Sequence, residues 1–236
     1  MNDEHLSARY EAELKDLSKR ILEMGRVVER QVEQAVEAVI SHDAELAANV
    51  LLDEDRVNAM EMALDRDLSI VISKRQPTAR DLRLLIAISK SIGNLERMGD
   101  EASKVARTAR RLHDRGAGNA LRVPIQELSN EARLCTAQLR KTLEAFESRD
   151  AAKAFEVLKD DPRIDRAFTG LMRTLITYML EDPRTISSSI ELIFVAKAVE
   201  RIGDHAKNLA EQTIYMVKGE DVRHRPVQTV ESTVKD

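Results

Sequence analysis

Apolar residues recur at intervals of three and four along most of this chain, the spacing that lays a single stripe down one face of an α-helix. Between residues 6 and 41 the stripe runs through Leu14, Leu17, Ile21, Met24, Val28, Val32, Ala35, Val36 and Val39. A second segment, 43–73, opens on Asp43 as a predicted N-cap and stops before Pro77, a residue that starts helices well and interrupts them badly. The third covers 77–113. Residues 114–119 carry Gly116 and Gly118 without periodicity and read as a link. Three further helices are predicted at 120–148, 150–181 and 183–217, with Asp182-Pro183 in the place of Gln76-Pro77 and with Pro162 disturbing the early turns of the fifth. Beyond Gly219 the tail is polar and aperiodic and is predicted to be loosely ordered.

The second set of three helices repeats the first. Leu95-Glu96-Arg97-Met98-Gly99-Asp100-Glu101-Ala102 returns as Val199-Glu200-Arg201-Ile202-Gly203-Asp204-His205-Ala206, identical at five of eight positions. Asp43-Ala44 and Asp150-Ala151 open the two middle helices. The predicted fold is therefore all-α: two tandem three-helix bundles of spectrin-repeat-like up-down topology, with units at 1–114 and 115–219 and a polar tail at 220–236.

Composition agrees, with only 3% aromatic residues, eight glycines and five prolines in 236 residues, poor material for a strand-and-turn protein. Charge narrows the function. Thirty-seven Lys and Arg against 41 Asp and Glu leave a net charge of -4 with the signs interspersed, which excludes a phosphate-tracking nucleic-acid surface. Apolar runs such as Leu84 to Ile88 and Leu192 to Ala196 reach five residues, where a membrane span needs about 20. The acidic, polar start lacks the basic and apolar regions of a secretory signal, and the single cysteine, Cys135, excludes an intramolecular disulfide. A cytoplasmic protein is expected, with Cys135 an ordinary helix residue.

The repeated motif carries the candidate chemistry. Glu96 and Asp100 lie four residues apart and so project from nearly the same helix face; Glu200 and Asp204 do the same. Like charges at this spacing repel, so a duplicated pair invites a cation. The apolar stripe of Ile92, Leu95, Gly99 and Ala102 puts these carboxylates on its flank. A mid-helix glycine costs about 1 kcal/mol relative to alanine, and its repetition at Gly99 and Gly203 points to close approach by another helix. That neighbour is predicted to be the middle helix, bringing Glu54, Asp55, Asn58 and Glu61 to the first pair and Asp161 and Asp165 to the second. His205, next to Asp204, is a further candidate ligand. Oxygen donors of this kind suit Mg, Ca, Mn or Fe. The competing reading is a solvated salt-bridge ladder, Glu96, Asp100 and Lys104.

Catalytic signatures are missing from the sequence: no phosphate loop, no Gly-x-Ser-x-Gly, no His-Glu-x-x-His, and no histidine with Glu three residues before it. Binding is expected rather than catalysis. The alternatives are a carboxylate-ligated metalloenzyme or metal store, and a purely structural coiled coil.

The two Glu-Arg-hydrophobic-Gly-Asp segments, Ala79-Arg80-Asp81-Leu82-Arg83 and the doubled three-helix layout together resemble the PhoU family. The resemblance implies a negative regulator of bacterial phosphate uptake and of the phosphate-starvation response. It further implies contact with the phosphate-sensing histidine kinase and with the ATPase subunit of the phosphate ABC transporter at the inner membrane surface. Metal ions (Fe, Zn, Mn or Mg) bound at Glu96/Asp100 and Glu200/Asp204, and a homodimer, are implied in the same way. Asp81 and Arg83 become candidate partner contacts. The second unit departs from the pattern: Thr185-Ile186-Ser187 stand where Asp-Leu-Arg would recur, and Phe168 stands opposite Glu61, so metal binding at its site is expected to be weaker or differently ligated.

Overall fold

A computed structural model describes the backbone of residues 2–114 and 122–235, and side chains over 8–114 and 124–235; the link predicted at 114–119 lies outside the described residues apart from Asp114. Among those residues there are eight α-helices and no strand: α1 (Asn2–Ser41), α2 (Ala44–Arg75), α3 (Ala79–Asp114), α4 (Arg122–Ser148), α5 (Ala151–Asp160), α6 (Pro162–Glu181), α7 (Ile186–Lys218) and α8 (Val227–Lys235). Helices α1 to α3 form one three-helix bundle, and α4, the α5–α6 pair and α7 form the other.

Local chemistry sets the corners. At the end of α1, His42 takes a left-handed conformation and the Asp43 N–H closes on the Ala38 carbonyl at 3.1 Å; at the end of α4, Arg149 and Asp150 do the same toward Ala145 at 2.9 Å. Each aspartate then turns to cap the next helix, its carboxylate accepting from Glu45 and Leu46 N–H in one half and from Ala152 and Lys153 N–H in the other. One residue thus ends one helix and starts another. Asp43→Ala and Asp150→Ala should each lower stability by about 0.5 to 2 kcal/mol in urea unfolding; a loss below this at both sites would show that the corners stand without their caps.

Three predicted boundaries shift. Left-handed Gln76 and Ala79 bend the chain on either side of Pro77, so α3 begins at Ala79. Asp182 caps a single 3-10 turn at Pro183–Thr185, and α7 follows from Ile186. Pro162, lacking an N–H, splits the fifth predicted helix into α5 and α6.

The tail is not loosely ordered. Val227, Val230 and Val234 are spaced as one helical stripe, and α8 lays them with Val222 onto Phe155, Leu158, Ala210 and Ile214. Short polar residues between the valines hide that period from a reading by composition.

The two bundles share one core. Buried residues from α1 to α4, α6 and α7 form a continuous cluster, and the most extensive helix contact in the molecule is α3 against α7, between halves. The bonds Asn94–His205, Glu101–Arg201 and Arg111–Glu191 show these helices running antiparallel. The two Glu-Arg-x-Gly-Asp segments consequently sit at the same height along the pair. Helices α1 and α4 make a second inter-half seam, where Arg140 reaches Glu29 and Glu33 at 2.7 and 3.1 Å.

Candidate functional site

Both glycines of the repeat lie where another helix presses in. A Cβ on Gly99 would stand 3.4 Å from Val57 of α2 and 3.2 Å from the Gln31 amide oxygen of α1; one on Gly203 would stand 3.0 Å from Ile164 of α6. This is the close approach inferred from the sequence, and it creates two seams, α2–α3 and α6–α7. Ile92, Leu95, Gly99 and Ala102 are buried while Glu96 and Asp100 are half-buried beside them, as their phase requires.

In the first seam Glu61 of α2 joins Glu96 and Asp100 of α3. Burial pushes the Glu96 carboxyl above its ordinary value, and the charges of Asp100 and Glu61 add to this against Arg97 and Lys104. Glu61 is raised too, by burial first and then by Asp65 and Asp100. Asp65, one turn beyond Glu61, is a member the sequence reading left out. Glu54 is engaged elsewhere, its carboxylate accepting two bonds from Arg107 at 2.7 and 2.9 Å. Asn58 is half-buried on the α2 face between Glu54 and Glu61, and Asp55 is exposed.

The second seam is richer. Asp161, at the α5–α6 break, and Asp165 of α6 face Glu200 and Asp204 of α7. Asp165 is raised by burial, then by Asp161 and Glu200; Asp204 by burial, then by Glu200 and Asp161. Two lysines partly balance the cluster: Lys207 binds Asp161 at 2.7 Å and Lys197 binds Glu200 at 2.6 Å. Gln138 of α4 donates to both Asp161 and the Gly203 carbonyl. His205 turns away, its Nδ1 lying 3.1 Å from the Asn94 side-chain oxygen across the α3–α7 contact, and burial lowers its pKa.

One buried carboxyl that feels the Glu200 charge escaped the sequence reading. Glu131 of α4 is fully buried, neither carboxyl oxygen has a hydrogen-bond partner, and burial with the Glu200 charge pushes its pKa up to about 9. The available signal was its register: Leu128, Glu131, Cys135 and Leu139 fall on one apolar stripe, where a carboxylate has no reason of its own to be. Cys135 is also fully buried, its thiol 3.4 Å from the Val199 carbonyl and its pKa raised by burial.

These donors suit a hard divalent cation by chemical type, since they are carboxylates of like sign from facing helices. As placed, among the described residues, no three His, Cys, Asp or Glu side chains gather closely enough to enclose an ion. In the second seam the lysines hold two of the carboxylates in their own ion pairs.

Asp81 and Arg83 lie at the start of α3. Arg83 lays its guanidinium against Gly219, 3.5 Å from where a Cβ would stand, at the left-handed C-terminus of α7, where a cation also meets the negative end of the helix dipole. Asp81 neighbours Tyr10, whose pKa is raised by burial and then by Asp81. No helix among the described residues is long and apolar enough to cross a membrane.

Comparison with known proteins extends these observations. The PhoU domain matches the chain twice, over residues 21–109 and 128–213. A Burkholderia protein, a phosphate-specific transport system accessory protein PhoU homolog, is 46% identical over 224 residues, 95% of each chain. The Escherichia coli K12 phosphate-specific transport system accessory protein PhoU is 39% identical, over 94% of this chain and 90% of its own. The crystal structure of PhoU from Pseudomonas aeruginosa superposes with a TM-score of 0.85 at 42% identity, covering 89% of this chain and all of that one. The phosphate transport system regulatory protein PhoU from Streptococcus pneumoniae gives 0.82 at 25% identity, over 90% of this chain and 99% of its own. With two matched domains, near-complete relatives and the same doubled bundle, this chain belongs to the PhoU family.

Proposed function

We propose that this chain is a regulatory adaptor of bacterial phosphate homeostasis, a negative regulator of phosphate uptake and of the phosphate-starvation response. It acts in the cytoplasm by contact with the phosphate-sensing histidine kinase and the ATPase subunit of the phosphate ABC transporter. The observation that carries the reading is the family match over both halves, with relatives aligned along nearly their whole length.

The polar groups of the molecule suit binding rather than turnover. The one thiol is buried with its pKa raised, and His205 is tied to Asn94. The outer surface offers contact positions for a partner: Ile186, Ile190 and Phe194 stand exposed in one line along α7. In this reading residues 1–114 and 115–219 are the repeat units, and each acidic seam holds divalent cations. Glu61, Glu96 and Asp100 are the ligands of the first, and Asp161, Asp165, Glu200 and Asp204 those of the second. A bound ion supplies the positive charge that lets like-charged helix faces stay together.

Deleting the gene from its host tests the adaptor role. Alkaline phosphatase in phosphate-rich medium should rise to its starvation level and return to baseline on complementation. Unchanged repression in the deletion strain would end the reading. Protein purified without chelator should carry metal by elemental analysis, and Glu200→Ala with Asp204→Ala should lower that content.

A further inference from the structure

We propose that the outward face of α7, with α6 and the end of α3 beside it, is a groove that receives an acidic amphipathic helix of a partner protein. The inference rests on the reading of this chain as an adaptor and names the chemistry of one of its contacts.

The internal repeat supplies the comparison. Val57 faces Gly99 as Ile164 faces Gly203, which sets α6 on α2 and α7 on α3 residue by residue. In that alignment Asp65, Ser69 and Ser73 of the first half become Met172, Ile176 and Leu180 in the second, and Lys90 becomes Phe194. Leu82 and Ile86 stay apolar as Ile186 and Ile190. Ile176, Leu180, Ile186, Ile190 and Phe194 are all exposed, Leu180 at 80% and Phe194 at 62%. The first half builds four of these positions polar, so the fold does not require apolar residues there. A contiguous apolar surface that the fold does not need marks a place of interaction.

These residues lie together. Asp165, Phe168, Met172 and Ile176 follow one another by threes and fours down the side of α6 that faces α7. The Lys197 ammonium lies 5.3 Å over the Phe168 ring, and the Thr185 hydroxyl donates to the Tyr178 carbonyl at 3.1 Å. The two helices therefore run antiparallel, and Ile176 falls level with the stretch between Ile186 and Ile190. On α7 the exposed line Ile186, Ile190 and Phe194 leads on to Lys197 and Arg201, about 22 Å of one face at 1.5 Å per residue.

The far end of that line is basic. Phe194 lies in a groove of about 450 Å³ with Lys104, Arg107, Arg111, Lys197 and Arg201, and Glu101 is the carboxylate among its walls. Glu54, Glu191 and Glu200 pair with three of these cations from outside the groove. In each pair the acid is the more buried member, and about half of the cation stays exposed. Arg107 binds Glu54 through Nη2 and keeps its Nη1 and Nε donors for another acceptor.

A helix with apolar anchors at every third or fourth position and carboxylates beside them matches both ends of this surface. Ile176, Leu180, Ile186 and Ile190 receive the anchors, and the cations around Phe194 receive the carboxylates. A second copy presenting the same face would set the five cations against their own kind. A phenylalanine seated in a groove between cations is fitted by a ridge, which a helix has and a flat sheet of lipid headgroups lacks.

The test uses the full chain and two fluorescent peptides of about 18 residues, long enough for the groove at about 1.5 Å per residue. Both carry the same leucine stripe, one with glutamate and one with lysine on its other faces. By fluorescence anisotropy at low salt the glutamate peptide should bind at least about tenfold tighter than the lysine peptide, with the difference shrinking as salt is added. Ile190→Ser with Phe194→Ser should weaken it at least about tenfold, the loss expected of central apolar anchors. Arg107→Gln with Arg111→Gln should weaken it and flatten its salt dependence, whereas Leu52→Ser, at an exposed leucine of α2, should change nothing. Circular dichroism melts confirm that each variant is folded. Equal binding of the two peptides, or binding untouched by the Ile190/Phe194 variant, would overturn the proposal. So would phosphatidylglycerol vesicles that take up the protein through Phe194 while neither peptide binds, or a dimer that this variant dissociates. In the host, the same variant at normal protein level should release alkaline phosphatase in phosphate-rich medium. Release in the deletion strain but not in the variant would overturn the groove and leave the adaptor reading standing.

Discussion

Replacing Gly25 with leucine is expected to destabilise the protein by about 2 to 3 kcal/mol, the strain of forcing a large side chain into a filled core. Gly25 is buried on α1 at the seam with α4, and a Cβ built there would overlap the Leu143 side chain. Leu143 is itself 8% exposed and has little room to retreat. Alanine at the same site gains about 1 kcal/mol of helix propensity and loses a comparable amount to the clash, so Gly25→Ala should be nearly neutral. Gly93, with nothing within 4 Å of an added Cβ, supplies the control: Gly93→Ala should stabilise by about 0.5 to 1 kcal/mol. In a chain of this size each kcal/mol moves the melting temperature by about 2 to 4 °C, so Gly25→Leu should melt roughly 4 to 12 °C below wild type. Equal melting of Gly25→Leu and wild type would mean the halves are not packed this closely.

The second large effect has the opposite sign. With metal removed, Glu131→Met should be more stable than wild type, by an amount that grows with pH. The folded protein holds the Glu131 proton up to about 9, because burial and then the Glu200 charge disfavour the carboxylate, against an ordinary value of 4.5. Between those values the unfolded chain has released a proton that the folded chain still binds, so wild-type stability falls as pH rises through this window. Methionine removes that proton linkage, while other groups titrate alike in both proteins and cancel. Methionine's lead should be smallest at pH 5 and wider by about 2 to 3 kcal/mol at pH 8, about half of the unrelieved cost at 1.36 kcal/mol per unit. Urea unfolding in chelator at pH 5, 6.5 and 8 measures the gap; a constant gap across pH would sink the argument.

Much of this architecture could be read from residue order. Apolar spacing located the long helices, Asp43 and Asp150 announced their corners, and the duplicated glycines foretold helices in close contact. The flanking phase of Glu96 and Asp100 followed from Ile92, Leu95 and Ala102. What stayed hidden depends on contacts between distant segments. Periodicity fixes which face of a helix is buried but not against what, so the single core joined through α3 and α7 was invisible, as was the diversion of Glu54 to Arg107 and of His205 to Asn94. Glu131 sat in plain view on an apolar stripe, yet only coordinates show that no basic group reaches its oxygens. The valines of α8 were diluted by polar neighbours, and their period emerges once Phe155 and Ile214 are seen to receive them.

The antiparallel union of α3 and α7 bears on how the chain is born. Glu101 meets Arg201 across 100 intervening steps of sequence, so a ribosome adding about 5 to 20 residues per second delivers the second strut of the pair roughly 5 to 20 s after the first. During that interval the emerging amino-terminal bundle has its own three helices and no cover for the flank that α7 will occupy. Nascent-chain quality control has that window in which to engage it.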